Sequence, residues 1–195
     1  VFGWFSGLPT TKGRTLLDTN YTSQEIRFVL RAATADVHAQ LEREIGNLDS
    51  LPAYQRYLRG MYGFRGAIEP HVASGRGWRP TLLLSALVQD MDDLSQKAAP
   101  LKDPTPSADS SWRLGVHYVL EGSALGARVL LKQVAELGLG PAFGASHLWR
   151  QTQGRSWTAF LDLLERELVD TDRCVDGARW AFEFVASAMS DARHA

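Results

Sequence analysis

Residues 117–137 read HYVLEGSALGARVLLKQVAEL, and this stretch decides the fold. It looks like the middle of one helix, from about 111 to 137, yet it carries Gly122 and Gly126 four residues apart on one face. Each glycine costs roughly 1 kcal/mol relative to alanine in a helix interior. Two uses would offset that penalty. Small residues at this spacing let two helices approach closely. They also let a flat ligand lie against bare backbone, or let the helix kink and free backbone groups. Spacing alone supports both uses equally.

Outward from this helix the signals stay helical. Ile26, Val29, Leu30, Ala33, Val37, Leu41 and Ile45 recur at helical intervals, after a capping box of Thr22 and Glu25 and before a stop at Gly46. A second helix starts near Ser50 with Pro52 in its first turn, carries Tyr54, Leu58, Met61, Arg65 and Ile68, and breaks at Pro70. SGRGWRP (74–80) is a loop before the amphipathic TLLLSALVQDMDDL, and KAAPLKDPTPSADS is a connector. After GLGPAFG the chain closes with SWTAFLDLLERELV and CVDGARWAFEFVASAM as two more helices. Strand alternation is nowhere sustained, so the expectation is an all-α domain of six or seven helices. Residues 1–21, with Gly3, Gly7, Pro9 and Gly13, show no period and read as an N-terminal extension; residues 22–195 form the domain.

Composition narrows the function. A chain of 195 residues with a formal charge of −1 suits one domain and argues against a general nucleic-acid binder. One cysteine, Cys174, excludes an intrachain disulfide and a multi-cysteine metal site. It fits a reducing compartment, most simply the cytoplasm, and reads as an inert buried thiol. No run reaches the roughly 20 apolar residues that span a bilayer, and the opening stretch does not read as a signal peptide.

The first helix carries a second stripe, Arg31, Thr34, His38 and Glu42, at intervals of three, four and four. His38, between Val37 and Leu41, sits at the edge of the core. It is either a histidine satisfied by Glu42 or an imidazole that offers one nitrogen to a metal while Glu42 partners the other. Set against the glycine-bearing helix, the stripe suggests a sandwich around a planar metal-containing cofactor. Haem is the candidate, because imidazole is a standard axial ligand of its iron.

TADVHAQLE (34–42) resembles the proximal-helix motif of haem oxygenases, T-x-x-x-H-x-x-x-E. EGSALGARVLLK (121–132) resembles the distal-helix motif of the bacterial branch, and ARWAF (178–182) is similar to the last-helix A-x-x-A-F. The resemblance spans about residues 26 to 190 in order. It implies a single-domain bundle of six to eight helices with haem between proximal and distal helices. It also implies oxidative cleavage of haem to biliverdin, carbon monoxide and ferrous iron, using dioxygen and electrons from a ferredoxin or an NAD(P)H-dependent reductase. His38 would ligate iron, with Thr34 and Glu42 completing its motif. Gly122, Ser123 and Gly126 would face the distal side, Arg31, Tyr118 and Lys132 would reach the haem propionates, and Phe182 would line the pocket.

Partners implied are haem, an electron-donor protein and, where the role is bilin supply rather than iron acquisition, a photoreceptor that accepts the product. The N-terminal arm either packs on the body or mediates a homodimer. One departure stands out. Animal members of the family keep an aspartate just after their first glycine, where this chain has Ser123 and Ala124. Other residues must organise water there. Arg128 either faces solvent in a docking patch or bridges to Glu121. The departure also raises a competing expectation, a haem-binding or haem-sensing protein without turnover. A di-iron oxidase would need Glu-x-x-His pairs on facing helices, and the spacing of Glu69 to His71 does not supply them. His71, His117, His147 and His194 fit no motif.

Overall fold

The computed structural model describes residues 23–72, 78–154 and 156–194. Within them lie nine α-helical segments and no strand. These are α1 (Ser23–Ala33), α2 (Ala35–Ile45), α3 (Leu51–Ile68), α4 (Leu84–Asp93), α5 (Ser110–Gly122), α6 (Ala124–Ala135), α7 (Ser146–Gln153), α8 (Ser156–Arg166) and α9 (Thr171–His194), with a 3-10 turn at Glu69–His71. The N-terminal arm and the Thr22–Glu25 capping pair lie outside the described residues and side chains. No helix among the described residues is long and apolar enough to cross a membrane.

Two of the expected helices are each divided by one hydroxyl residue. At Thr34 the backbone leaves helical geometry (φ −113°, ψ 4°). Its Oγ1 donates to the Leu30 carbonyl at 2.7 Å, a back-bond that competes with the helix ladder and bends it. At Ser123 the N–H still reaches Val119 O at 3.2 Å, while the hydroxyl turns back to Leu120 O at 2.6 Å. An unbroken helix would give that carbonyl to the N–H of Ala124. Taken as two bent helices, α1–α2 and α5–α6 bring the nine segments to seven, within the expected six or seven.

Helix α7 is the element that the sequence pattern does not announce. Its segment, SHLWRQTQ, buries His147, Leu148 and Gln151, so two of the three inward residues are polar. Asp90, fully buried in α4, replaces the missing apolar signal. Its carboxylate accepts the N–H groups of Ser146 and His147 at 2.8 and 2.9 Å and the His147 Nδ1 contact at 2.6 Å. A carboxylate on the first amides of a helix satisfies them and complements the dipole. The preceding turn is fixed too: Gly144 (φ +74°) donates its N–H to Asp93 and its carbonyl accepts from Tyr54 Oη at 2.6 Å.

The long α9 forms the axis, packing on α1, α2, α3 and α5. Its approach to α5 is a backbone contact. A Cβ on Gly115 would stand 1.9 Å from the Cys174 carbonyl oxygen, and one on Gly177 would stand 1.9 Å from the Trp112 carbonyl oxygen. Two helices can cross this closely only where both lack side chains. In the core Leu30, Leu58, Leu87, Leu148, Phe160 and Ala181 are fully buried. Cys174 lies buried at the crossing, its thiol pushed up to about 12 by burial.

Candidate functional site

Helix α2 packs chiefly against α9 and leaves a gap toward the α5–α6 junction. That gap is a largely apolar cleft of about 260 Å³. Arg31, Thr34 and His38 line it from α1 and α2, and Tyr118, Gly122 and Ser123 from the junction. Tyr57, Met61 and Phe64 of α3, Gln151 of α7, Trp157 of α8 and Phe182 of α9 complete the walls. The bend at Thr34 therefore sits within the site, and Arg31 and His38 on either side of it face the same space.

The His38 side chain is 21% exposed. Phe182 meets its ring edge-on, with centroids 5.5 Å apart at 78°. Burial holds the imidazole below its ordinary value, while the Glu42 carboxylate, 3.7 Å from Nδ1, pulls the other way. That separation is longer than a hydrogen bond, so the glutamate acts through its charge. The net result is a neutral imidazole near neutral pH, the form that binds a metal. Among the described residues no three His, Cys, Asp or Glu side chains gather as a metal cluster.

At the junction, a Cβ on Gly122 would meet nothing closer than the Trp157 ring, at 3.6 Å. That is ordinary contact, so packing does not demand a glycine here; the absent side chain leaves room in the cleft. Tyr118 is buried beside Trp157, with ring centroids 5.6 Å apart. Burial pushes its hydroxyl up to about 12 against the opposing pull of Arg31 and Arg27, so it stays a neutral donor. Three expected residues stand off the cleft wall. Glu42 lies beside His38, Gly126 is buried in α6, and Lys132 is exposed farther along α6. Trp157 faces the cleft, whereas Trp180 packs against Trp112, centroids 4.8 Å apart.

A buried polar cluster organises the junction. Arg65, fully buried in α3, donates from Nη2 to Leu120 O and Ser123 Oγ, each at 3.0 Å, and from Nη1 to Thr81 O at 3.2 Å. The carbonyl freed by the helix break thus acquires a cationic donor. The amide oxygen of Gln151, assigned from the donors around it, accepts from Ala124 N–H and Arg65 Nη2 at 3.3 Å and lies 2.5 Å from Ser123 Oγ. Two carboxylates balance the guanidinium. Glu69 contacts Nη1 at 3.4 Å and caps α4 by accepting from Leu83 and Leu84 N–H at 2.7 and 3.0 Å. Glu121 accepts from Thr81 N–H at 3.0 Å and from the Ser156 hydroxyl, and Arg128 is exposed. A chamber of about 10 Å³ among Arg65, Thr81, Glu121, Gln151 and Ser156 has the size and polarity for one water.

These partners were hidden in the sequence. Arg65 stands in an apolar stripe, and Gln151 and His147 lie in a helix without an apolar period. A charged residue inside a helix's buried stripe is the one signal that could have drawn attention to Arg65, because such a charge requires partners.

Fold and cleft together define an all-α bundle with an apolar cleft between a neutral imidazole and bare helix backbone. No protein-family model matches the chain. Over 150 residues, 70% of this chain and 75% of the relative, it is 30% identical to haem oxygenase PigA of Pseudomonas aeruginosa. Its fold is similar to that of the NO- and CO-bound haem oxygenase from Neisseria meningitidis, with a TM-score of 0.70 and 25% identity over 86% of this chain and 91% of that one. The chain belongs to the haem oxygenase family.

Proposed function

We propose that this chain cleaves haem oxidatively to biliverdin, carbon monoxide and ferrous iron, within a domain spanning residues 22–195. The observation that carries the reading is the pairing of His38 on α2 with Gly122 and Ser123 at the α5–α6 junction, on the walls of one apolar cleft. The donor set fits haem: a neutral, part-buried imidazole steadied by Phe182, apolar walls, and Arg31 and Tyr118 on the lining. Glu42 beside Nδ1 supports Nε2 as the ligating nitrogen. Haem, when bound, supplies the redox chemistry and is itself the substrate.

The chain's own residues orient and shield it. Gly122 admits close approach of the ring to backbone, and Gly126 keeps the following turn of α6 slim. Arg31 and Tyr118 on the cleft lining, and Lys132 farther along α6, would hold the propionates and so fix the rotation of the ring in its plane. That rotation selects the carbon presented to Gly122 and hence the biliverdin isomer. Electrons come from a ferredoxin or an NAD(P)H-dependent reductase, for which the exposed Arg128 on α6 offers a docking residue. A cytoplasmic setting is supported by the single, buried cysteine. A bilin-accepting photoreceptor and dimer contacts through residues 1–21 extend the same reading.

Haemin with ascorbate or a reductase under air, followed by chromatography of the product, tests the proposal. The Soret band is expected to give way to biliverdin absorption. A band that persists under electron supply would leave a haem-binding protein without turnover. His38→Ala should abolish the native haem spectrum and turnover, with recovery on adding imidazole. An unchanged spectrum would remove His38 from the site.

A further inference from the structure

No carboxylate follows the first glycine of the distal stretch, where Ser123 and Ala124 stand, yet the Ser123 break creates a different polar device. Gln151 is 5% exposed and lines the cleft. Its amide oxygen accepts from Ala124 N–H and Arg65 Nη2, with Ser123 Oγ 2.5 Å away. The first of these donors exists because the helix ladder is interrupted, and the second because Arg65 is buried against Glu69 and Leu120 O. The helix that carries Gln151 is itself fixed, since Asp90 caps α7 one turn earlier and binds His147. An amide has one acceptor end and one end with two donors. Locking the oxygen therefore locks the direction of the NH₂ group.

We propose that Gln151 is the polar hydrogen-bond donor of the distal cleft. Its NH₂ group is presented to a small ligand or ordered water beside Gly122, and Arg65 acts as the positioning residue that holds the amide in that orientation. The proposal rests on the cleft being the haem site. A donor fixed beforehand stabilises developing negative charge without reorganising during reaction. The serine and alanine after Gly122 are then not a loss of polarity. The polar group reaches the same space from α7, about a turn and a half beyond the helix's capped start, instead of from the distal helix itself.

Gln151→Glu separates the donor from the lock. A carboxylate keeps acceptors for Ala124 N–H and Arg65, but offers no N–H to the cleft. With haem bound and reduced under carbon monoxide, the C–O stretching frequency should rise relative to the parent protein, because the donor to the ligand oxygen is gone. Haem affinity should stay within about twofold, and turnover should fall about tenfold or more. Arg65→Lys, which keeps the charge and loses the fork, should move the frequency part of the way. Equal C–O frequencies in the parent and the Gln151→Glu protein would overturn the proposal. So would an atomic-resolution structure of the ligand-free protein with the amide nitrogen, not the oxygen, on Ala124 N–H and Arg65. A parent protein that binds haem and shows the frequency shift but forms no biliverdin would sink the proposed activity and leave the role of Gln151 standing.

Discussion

Gly115 and Gly122 lie two turns apart in α5, and a methyl group added to each meets opposite surroundings. At Gly115 it would sit 1.9 Å from a carbonyl oxygen of α9, whereas at Gly122 it would rest 3.6 Å from the edge of a tryptophan ring. One glycine is required because two backbones touch; the other borders an open cleft and is not required by packing. Close approach of two helices, one of the two uses weighed for Gly122 and Gly126, is made in this helix by Gly115, opposite Gly177. Spacing identifies glycines that share a face and says nothing of what lies opposite that face.

The same substitution at the two positions should break this comparison if it is false. Gly115→Ala forces α5 from α9 and should lower the unfolding free energy by about 4 kcal/mol or more, measured by urea denaturation. A loss below about 1 kcal/mol would mean that the crossing is not tight. Next in size is the cluster that supports the break. Arg65→Met strips Glu69 and Glu121 of their buried cation and should cost about 3 kcal/mol. Equal stability to the parent would show that the junction holds without it.

A third effect tests the packed end of α5 by pH. His117, two residues after Gly115, is buried against Trp78 with its Nδ1 unpaired, and its imidazole is lowered to about 4 by burial and by Arg113. The unfolded chain takes up this proton near 6.5 and the folded chain does not. Its contribution is therefore complete above about 6.5 and is lost as pH falls toward 4. Between pH 7 and 5 the loss should be about 2 kcal/mol, on top of a drop of the same sign from the fully buried His147. His117→Phe should flatten the first part, seen in urea midpoints at the two pH values; an unaltered slope would assign the pH dependence elsewhere. Smallest in stability is Gly122→Ala. It should stay within about 1 kcal/mol of the parent while weakening haem binding, read by Soret titration. Unchanged affinity would mean that the ligand does not approach this turn.

The elements visible in the sequence are those whose buried faces are apolar. Ile26 through Ile45, Tyr54 through Ile68 and the last helix announce themselves by period. His38, Tyr118, Gly122 and Phe182 are legible through their motifs, and all four line the cleft. What the sequence conceals is polar and long-range. Helix α7 turns His147 and Gln151 inward, and its partner Asp90 lies 57 positions away. The bends at Thr34 and Ser123 arise from hydroxyls that compete with backbone carbonyls, a choice that helix propensity does not encode. Arg65 looks misplaced in an apolar stripe until Leu120 O, Ser123, Glu69 and Glu121 are assembled around it.

The bend at Thr34 has a mechanical consequence. Beyond it α2 contains no fully buried residue; Val37, Leu41 and Ile45 pack part-buried on the core, and a bidentate pair from Arg179 to Asp36, 3.1 Å on each arm, joins its first turn to α9. A segment with so little buried apolar surface opens at a small fraction of the free energy that unfolds the bundle. The wall that carries His38 is therefore held by partly buried side chains, while the crossing of α5 and α9 behind it is fixed by backbone contact. Local opening of the cleft should begin on that wall, and amide exchange should be faster in α2 than in α5 and α9.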